Sequence, residues 1–127
     1  MENNKIIHQE LTYRINGILF NVFNELGPGL KERTYERATS IGFTNANIKH
    51  QTQVYAPIKF QDKKVGSYYY DFYIENKIIL ELKVGDYFNK RNIGQLSQYL
   101  KEENLQLGIL ANFTTHGVKI KRVVNII

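Results

Sequence analysis

The segment Ile78-Ile79-Leu80-Glu81-Leu82-Lys83-Val84 restricts the fold more than any other part of the chain. It has the length of a strand and is nearly continuous in apolar character, the pattern of a strand covered on both of its faces. Two charges interrupt it. Side chains alternate along a strand, so Glu81 and Lys83 share one face with Ile79. Charges in such a setting have two explanations: a mutual ion pair or an exposed edge on one hand, a metal site with a neighbouring lysine on the other. Taken alone, the dipeptide spacing favours the ion pair.

The flanking pattern supplies the rest of the architecture. Apolar residues at Ile7, Leu11, Ile15, Ile18, Leu19, Val22, Phe23 and Leu26 recur at intervals of three and four, which marks one face of a long helix. Gly27, Pro28 and Gly29 end it, and a second helix is expected from about Lys31 to Ile41, stopped by Gly42. Strand character follows over Ile48 to Tyr55 and Ile58 to Gln61, separated by Pro57. A turn is expected at Asp62, Lys63 and Lys64. Val65 to Ile74 and Ile78 to Val84 then read as adjoining strands joined by Glu75, Asn76 and Lys77. Beyond Gly85 the period returns to helical from about Asn89 to Glu103, and Leu105 to Asn112 and Val118 to Val124 are the last strands. No linker, repeat or low-complexity segment interrupts this order, and 127 residues suit one domain, residues 1–127.

Asp71 changes the weight given to Glu81. It lies inside the aromatic-rich strand before the turn, and a loop of three or five residues centred on Asn76 would place it opposite Glu81. Cross-strand neighbours have Cβ atoms about 4.5 to 5.5 Å apart, so two carboxylates there repel unless a cation lies between them. A two-residue loop would put them on opposite faces. Two converging carboxylates suit Mg²⁺ or Mn²⁺ better than zinc. Such an ion polarises a phosphoryl oxygen and acidifies water, and Lys83 beside it could orient that water or neutralise charge on phosphate, the chemistry of phosphodiester hydrolysis.

Composition agrees and excludes alternatives. There is no cysteine, which removes disulfides, thiolate zinc sites and cysteine nucleophiles. The 17 Lys and Arg exceed the 12 Asp and Glu to give a formal charge of +5, which suits a polyanionic partner and equally an ordinary solvated surface. No signal-peptide pattern or membrane-length apolar run is present, so a soluble, cytoplasmic protein is expected, with no membrane partner. His8, His50 and His116 show no metal-ligand spacing, and His50 reads as a structural residue or a cleft wall. Lys90, Arg91, Lys119, Lys121 and Arg122 are candidate phosphate contacts, while Lys101 reads as a solvated charge. A phosphate-cradling GxxxxGK loop is missing.

Asp71 followed by Glu81-Leu82-Lys83 resembles the PD-(D/E)XK nuclease signature, with Tyr70 in place of the proline. Gly29-Leu30-Lys31-Glu32-Arg33-Thr34-Tyr35 matches GxxExxY, the motif of the GxxExxY protein family within that superfamily, and Gln95-Leu96-Ser97-Gln98-Tyr99 matches the QxxxY element of its RecB-like branch. The three occur in the expected order, and the resemblance covers about Ile15 to Val124. It implies a restriction-endonuclease-like α/β fold, a mixed central β-sheet flanked by helices. It further implies a metal-dependent nuclease of nucleic acid, with DNA favoured and the choice between DNA and RNA left open. Asp71, Glu81, Glu32 and the Leu82 carbonyl would hold Mg²⁺ or Mn²⁺, and Lys83 would be the catalytic lysine. Gln95 and Tyr99, four apart and so on one helix face, would support Lys83 or contact the phosphate backbone, with Tyr35 of the GxxExxY motif also supporting the site.

Each motif has a plainer reading when taken singly. Glu32 suits the first turn of a helix through the dipole, and Tyr99 suits a core. The rival functions are a nucleic-acid-binding module of the same fold without catalysis, and an interaction domain in which Glu81 pairs with Lys83 and Asp71 points away. Strand preference, endonucleolytic or exonucleolytic cutting, pathway and oligomeric state, a homodimer included, are left open.

Overall fold

The computed structural model describes residues 6–126; the ends of the expected domain, residues 1–5 and 127, lie outside the described residues. Helix α1 (Gln9–Leu26) is followed by α2 (Glu32–Asn45), then strands β1 (His50–Phe60), β2 (Lys63–Ile74) and β3 (Ile78–Val84). Helix α3 (Lys90–Glu103) and strands β4 (Leu107–Phe113) and β5 (Val118–Val124) complete the order. The strands form one mixed sheet in sequence order, with β3 and β4 parallel and every other neighbouring pair antiparallel. The parallel pair requires a crossover, and α3 provides it. The architecture is thus the expected restriction-endonuclease-like α/β arrangement, a five-stranded mixed sheet flanked by three helices.

β3 occupies the centre of the sheet, as its sequence requires, with Ile78 to Leu82 all buried. Its even-numbered residues Ile78, Leu80 and Leu82 pack with Ile15 and Leu19 of α1 and with Tyr35 and Phe43 of α2. Ile79 on the other face packs with Leu96, Tyr99 and Leu100 of α3. Each fully buried aliphatic side chain contributes about 1.5–3 kcal/mol, so this double-sided burial makes β3 a firmly held strand for a functional group to be attached to.

Three local expectations are corrected. Gly42 does not stop α2, which runs on to Asn45. A Cβ there would lie 2.6 Å from Cγ2 of Ile18, so this glycine serves the close approach of α2 to α1. Pro57 does not divide β1, because β1 is an edge strand whose outward side needs no N–H donor; Pro57 pairs opposite Ser67 within one continuous ribbon. The turn after it is Gln61-Asp62, both at positive φ, a two-residue connection shifted from the expected Asp62 to Lys64. No helix among the described residues is long and apolar enough to cross a membrane.

Candidate functional site

The loop between β2 and β3 is Glu75-Asn76-Lys77, three residues long, with Glu75 and Asn76 at positive φ and the Lys77 N–H bonded to the Ile74 carbonyl. This sets the register Ile74 opposite Ile78, Tyr73 opposite Ile79 and Phe72 opposite Leu80. The next position in that register sets Asp71 against Glu81. Regular pairing ends there, and the two carboxylates take over. The Asp71 N–H donates to Oε2 of Glu81 at 2.7 Å, and the Leu82 N–H donates to Oδ2 of Asp71 at 2.8 Å. Each acid thereby closes the backbone of the other strand.

The reason pairing ends is visible on the outer side of β2. Gln53 of β1 and Asp71 interrupt the ladder between Thr52–Phe72 and Val54–Tyr70. Gln53 holds a left-handed φ of 50, a conformation costing a non-glycine residue roughly 1–2 kcal/mol. Across this row the alternation reverses: Phe72 and Ile74 pack under α1 and α2, whereas Tyr70 packs with α3. The strands therefore twist at the position where the carboxylates are presented.

Glu81 is only 7 % exposed. Burial, and then the negative charge of Asp71, push its carboxyl up to about 8, with the Asp71 N–H and Lys83 opposing the shift. Asp71 is also raised, chiefly by burial, and the charges of Glu36 and Glu32 add to the effect. The two share their titration as a pair. Glu32, the first residue of α2, is raised by burial, while Lys83 lowers it. Lys83 thus acts on Glu32, Asp71 and Glu81 alike, the sole cation among the charges that shift these three acids.

Two contributors are not apparent from the motifs. Gln53 donates to Oε2 of Glu36 at 2.8 Å and to Oδ1 of Asp71 at 3.2 Å, linking α2 to β2. Glu36 lies one helical turn after Glu32, and like charges four apart on a helix repel, which is the sequence signal that could have drawn attention to it. With Arg33, Arg37 and Thr52 these groups border an open cleft of about 770 Å³ that reaches Asp71, within the size range of ligand clefts.

The remaining candidates separate. Tyr99 is buried on α3 and stacks on Tyr68 with ring centroids 3.7 Å apart; the charges of Glu81 and Asp71 reach it, so it closes the α3 side of the pair. Gln95 is exposed on the same helix. Tyr35 is not at the carboxylates: its hydroxyl donates to the Gly27 carbonyl at 2.6 Å and accepts from the Leu30 N–H at 3.3 Å, and its ring stacks on Phe113. It therefore fixes the turn immediately before Glu32. His50 is structural, bonded to Ser40 and to the Ile48 carbonyl. Arg122, expected among phosphate contacts, is instead held by Thr12 and the Ile7 carbonyl against α1.

The donor set suits a hard divalent cation: the site gathers carboxylate oxygens whose negative charge is in excess, no thiolate is available, and both central acids hold their protons too tightly for bare carboxylates. Among the described residues, however, no three acidic or histidine side chains are drawn together as a finished ligand cluster. The pair Asp71 and Glu81 is the part already assembled.

A mixed sheet with paired acids where two antiparallel strands part, beside a lysine two residues on, defines an α/β domain of the restriction-endonuclease-like class. The family model of the PD-(D/E)XK nuclease superfamily matches residues 9–123, and the chain belongs to that superfamily. No curated protein matches the sequence. Among solved structures, the chain is similar to one described as "Crystal structure of SSO0001", at 15% sequence identity and a TM-score of 0.50, covering 98% of this chain and 80% of that one. That likeness concerns the fold alone.

Proposed function

We propose that the protein is a metal-dependent nuclease that hydrolyses phosphodiester bonds of nucleic acid. The observation that carries this reading is the Asp71–Glu81 pair: two buried carboxylates of raised proton affinity, each anchored to the backbone of the other's strand. As a structural device such a pair is costly, because like charges are buried together where an apolar pair would serve packing better. As a cation site it is coherent.

Asp71 and Glu81 would hold Mg²⁺ or Mn²⁺, with Glu32 and the Leu82 carbonyl completing the ligands. The ion, when bound, supplies Lewis-acid polarisation of the phosphoryl group and acidification of water. The protein's own groups divide the remaining work. The backbone N–H groups of Asp71 and Leu82 orient the two carboxylates before any ligand arrives, so little reorganisation is needed at the moment of reaction. Lys83 neutralises charge on the phosphate and orients the attacking water. Tyr99 excludes solvent from the α3 side, and Gln53 ties Asp71 to the helix that bears Glu32.

The test is cleavage of labelled single- and double-stranded DNA and RNA by the purified protein with Mg²⁺ or Mn²⁺. Metal-dependent cutting that Lys83→Ala abolishes, with circular dichroism showing the variant folded, is the expected result. Salt-sensitive binding without cutting by any of the metals would replace this reading with that of a catalytically silent nucleic-acid-binding module. Cutting that persists in excess chelator would remove the metal mechanism.

A further inference from the structure

Beyond Val54 and Tyr70, β1 and β2 continue as a two-stranded ribbon with no third strand among the described residues, since β3 pairs with β2 only from Phe72 to Ile74. One face of this ribbon is accounted for: Val54, Ala56, Tyr68 and Tyr70 pack with α3. The opposite face is not. It presents Tyr55 and Tyr69, directly paired across the strands, with ring centroids 5.5 Å apart at an interplanar angle of 66°. They are 45% and 56% exposed, and Nζ of Lys64 stands 5.4 Å from the centre of the Tyr55 ring.

Two irregularities create this face. The register slips by one between Ile58–Gly66 and Lys59–Lys64, so that Val65 is an extra residue on β2. Without it, Lys64 would alternate with Gly66, Tyr68 and Tyr70 and point toward α3; with it, Lys64 joins Tyr55. The reversal at Gln53 and Asp71 does the corresponding thing at the other end. Tyr69, on the side of the ribbon away from α3, thereby shares its side with Asp71, which borders the cleft next to α2. Two residues of strand separate Tyr69 from Asp71, about 6.6 Å. That is close to the distance between successive nucleotides of an extended strand.

We infer that the outer face of this ribbon is a stacking platform for single-stranded nucleic acid, Tyr55 and Tyr69 receiving unpaired bases while Lys64 and Lys59 meet the adjoining phosphates, and that it feeds the strand to Asp71. Exposed aromatics interleaved with cations are the chemistry that holds bases without sequence preference, each base stacking on a ring while the backbone follows positive charge. Paired bases bury their faces within the duplex and cannot use it. A second copy of the chain is a poorer occupant. Both long edges of the ribbon are free, and each is interrupted for edge-to-edge pairing: Pro57 lacks a donor on β1, and the register slip leaves Val65 as an extra residue on β2. This inference rests on the nuclease reading for the direction of the strand, though not for binding itself.

The experiment is fluorescence anisotropy in excess chelator, which separates binding from cutting, with labelled oligothymidylate, oligouridylate and a DNA duplex of equal length. The single strands should bind more tightly than the duplex at matched salt. Tyr55→Ala combined with Tyr69→Ala should weaken single-strand binding by about tenfold or more and leave duplex binding within about twofold. Tyr55→Phe combined with Tyr69→Phe, which keeps the rings, should bind as the unaltered protein does, and circular dichroism checks that each variant is folded. Equal single-strand affinity in the alanine variant, tighter binding of the duplex, or a dimer that the alanine pair dissolves would each overturn the platform. Preference for one of the two single strands would identify its source as DNA or RNA. Absence of cutting with Mg²⁺ or Mn²⁺ while tyrosine-dependent single-strand binding is retained is a failure of the nuclease reading and not of the platform.

Discussion

Replacing Glu81 by Gln should make the metal-free protein more stable at alkaline pH while removing its capacity to bind metal. Glu81 releases its proton near 8 in the fold against an ordinary value of 4.5. A carboxyl whose folded pKa is raised favours the folded state fully only below its unfolded value. As pH rises through 4.5 the unfolded chain ionises and the fold does not, so stability falls until the folded group ionises near 8. For an isolated group this difference amounts to about 4 kcal/mol at pH 8. With water reaching the 7 % of the residue that stays exposed, about 2–4 kcal/mol is expected. That is a large share of the roughly 5–15 kcal/mol that holds a domain of this size together.

Glutamine has no charge to bury and retains an oxygen to accept the Asp71 N–H. Urea denaturation followed by circular dichroism in chelator, at about pH 5 and about pH 8, reads the effect. The unaltered protein should lose stability between the two, and Glu81→Gln should lose much less, gaining about 2 kcal/mol over it at the higher pH, or roughly 5–10 °C in midpoint. Added Mg²⁺ should restore the unaltered protein by mass action and leave the variant unmoved. Equal stability of the unaltered protein at both pH values, or a variant weaker than it at the higher one, would refute the argument that the fold holds an uncompensated acid pair.

Two further substitutions probe the supports of the site. Gly42→Ala forces a Cβ to within 2.6 Å of Ile18 Cγ2, an atom too close to its backbone to swing aside, and should cost about 1–3 kcal/mol in a urea titration; a neutral result would show that the two helices can part freely. Tyr35→Phe removes the hydroxyl that holds Gly27 and Leu30, and should cost about 1–2 kcal/mol in the same assay while lowering cleavage through looser placement of Glu32, so unchanged stability would sink that role.

Periodicity located every helix and strand because burial is strongly two-sided here. Apart from the shifted turn at Gln61-Asp62, the misreadings concern residues whose role depends on a distant neighbour. Gly42 has the chemistry of a helix stop, and only the approach of Ile18 reveals a contact instead. Pro57 reads as a break unless its strand is known to lie at the edge of the sheet. At the candidate site, Asp71, Glu81 and Lys83 were legible because charges in an apolar strand need a partner. Gln53 was not, since an exposed glutamine between Thr52 and Val54 carries no sequence mark of a left-handed backbone. Strict alternation put Asp71 and Glu81 on one face through side-chain parity. In the fold the three-residue loop does set them opposite one another, each bonded to the other's backbone, while the alternation of β2 reverses across Asp71.

That reversal separates the molecule into a part that must stay fixed and a part free to change length. The rows from Pro57–Ser67 to Phe60–Lys63 lie beyond the pairing with β3 and beyond the side chains packed on α3, so two whole rows removed or added there would leave Asp71 where it is. A single row or an unpaired residue would not, because it turns every side chain beyond it to the other face. The outer ribbon is therefore an adjustable arm graduated in pairs of rows, along which reach toward a nucleic acid can be altered without disturbing the acids at its base.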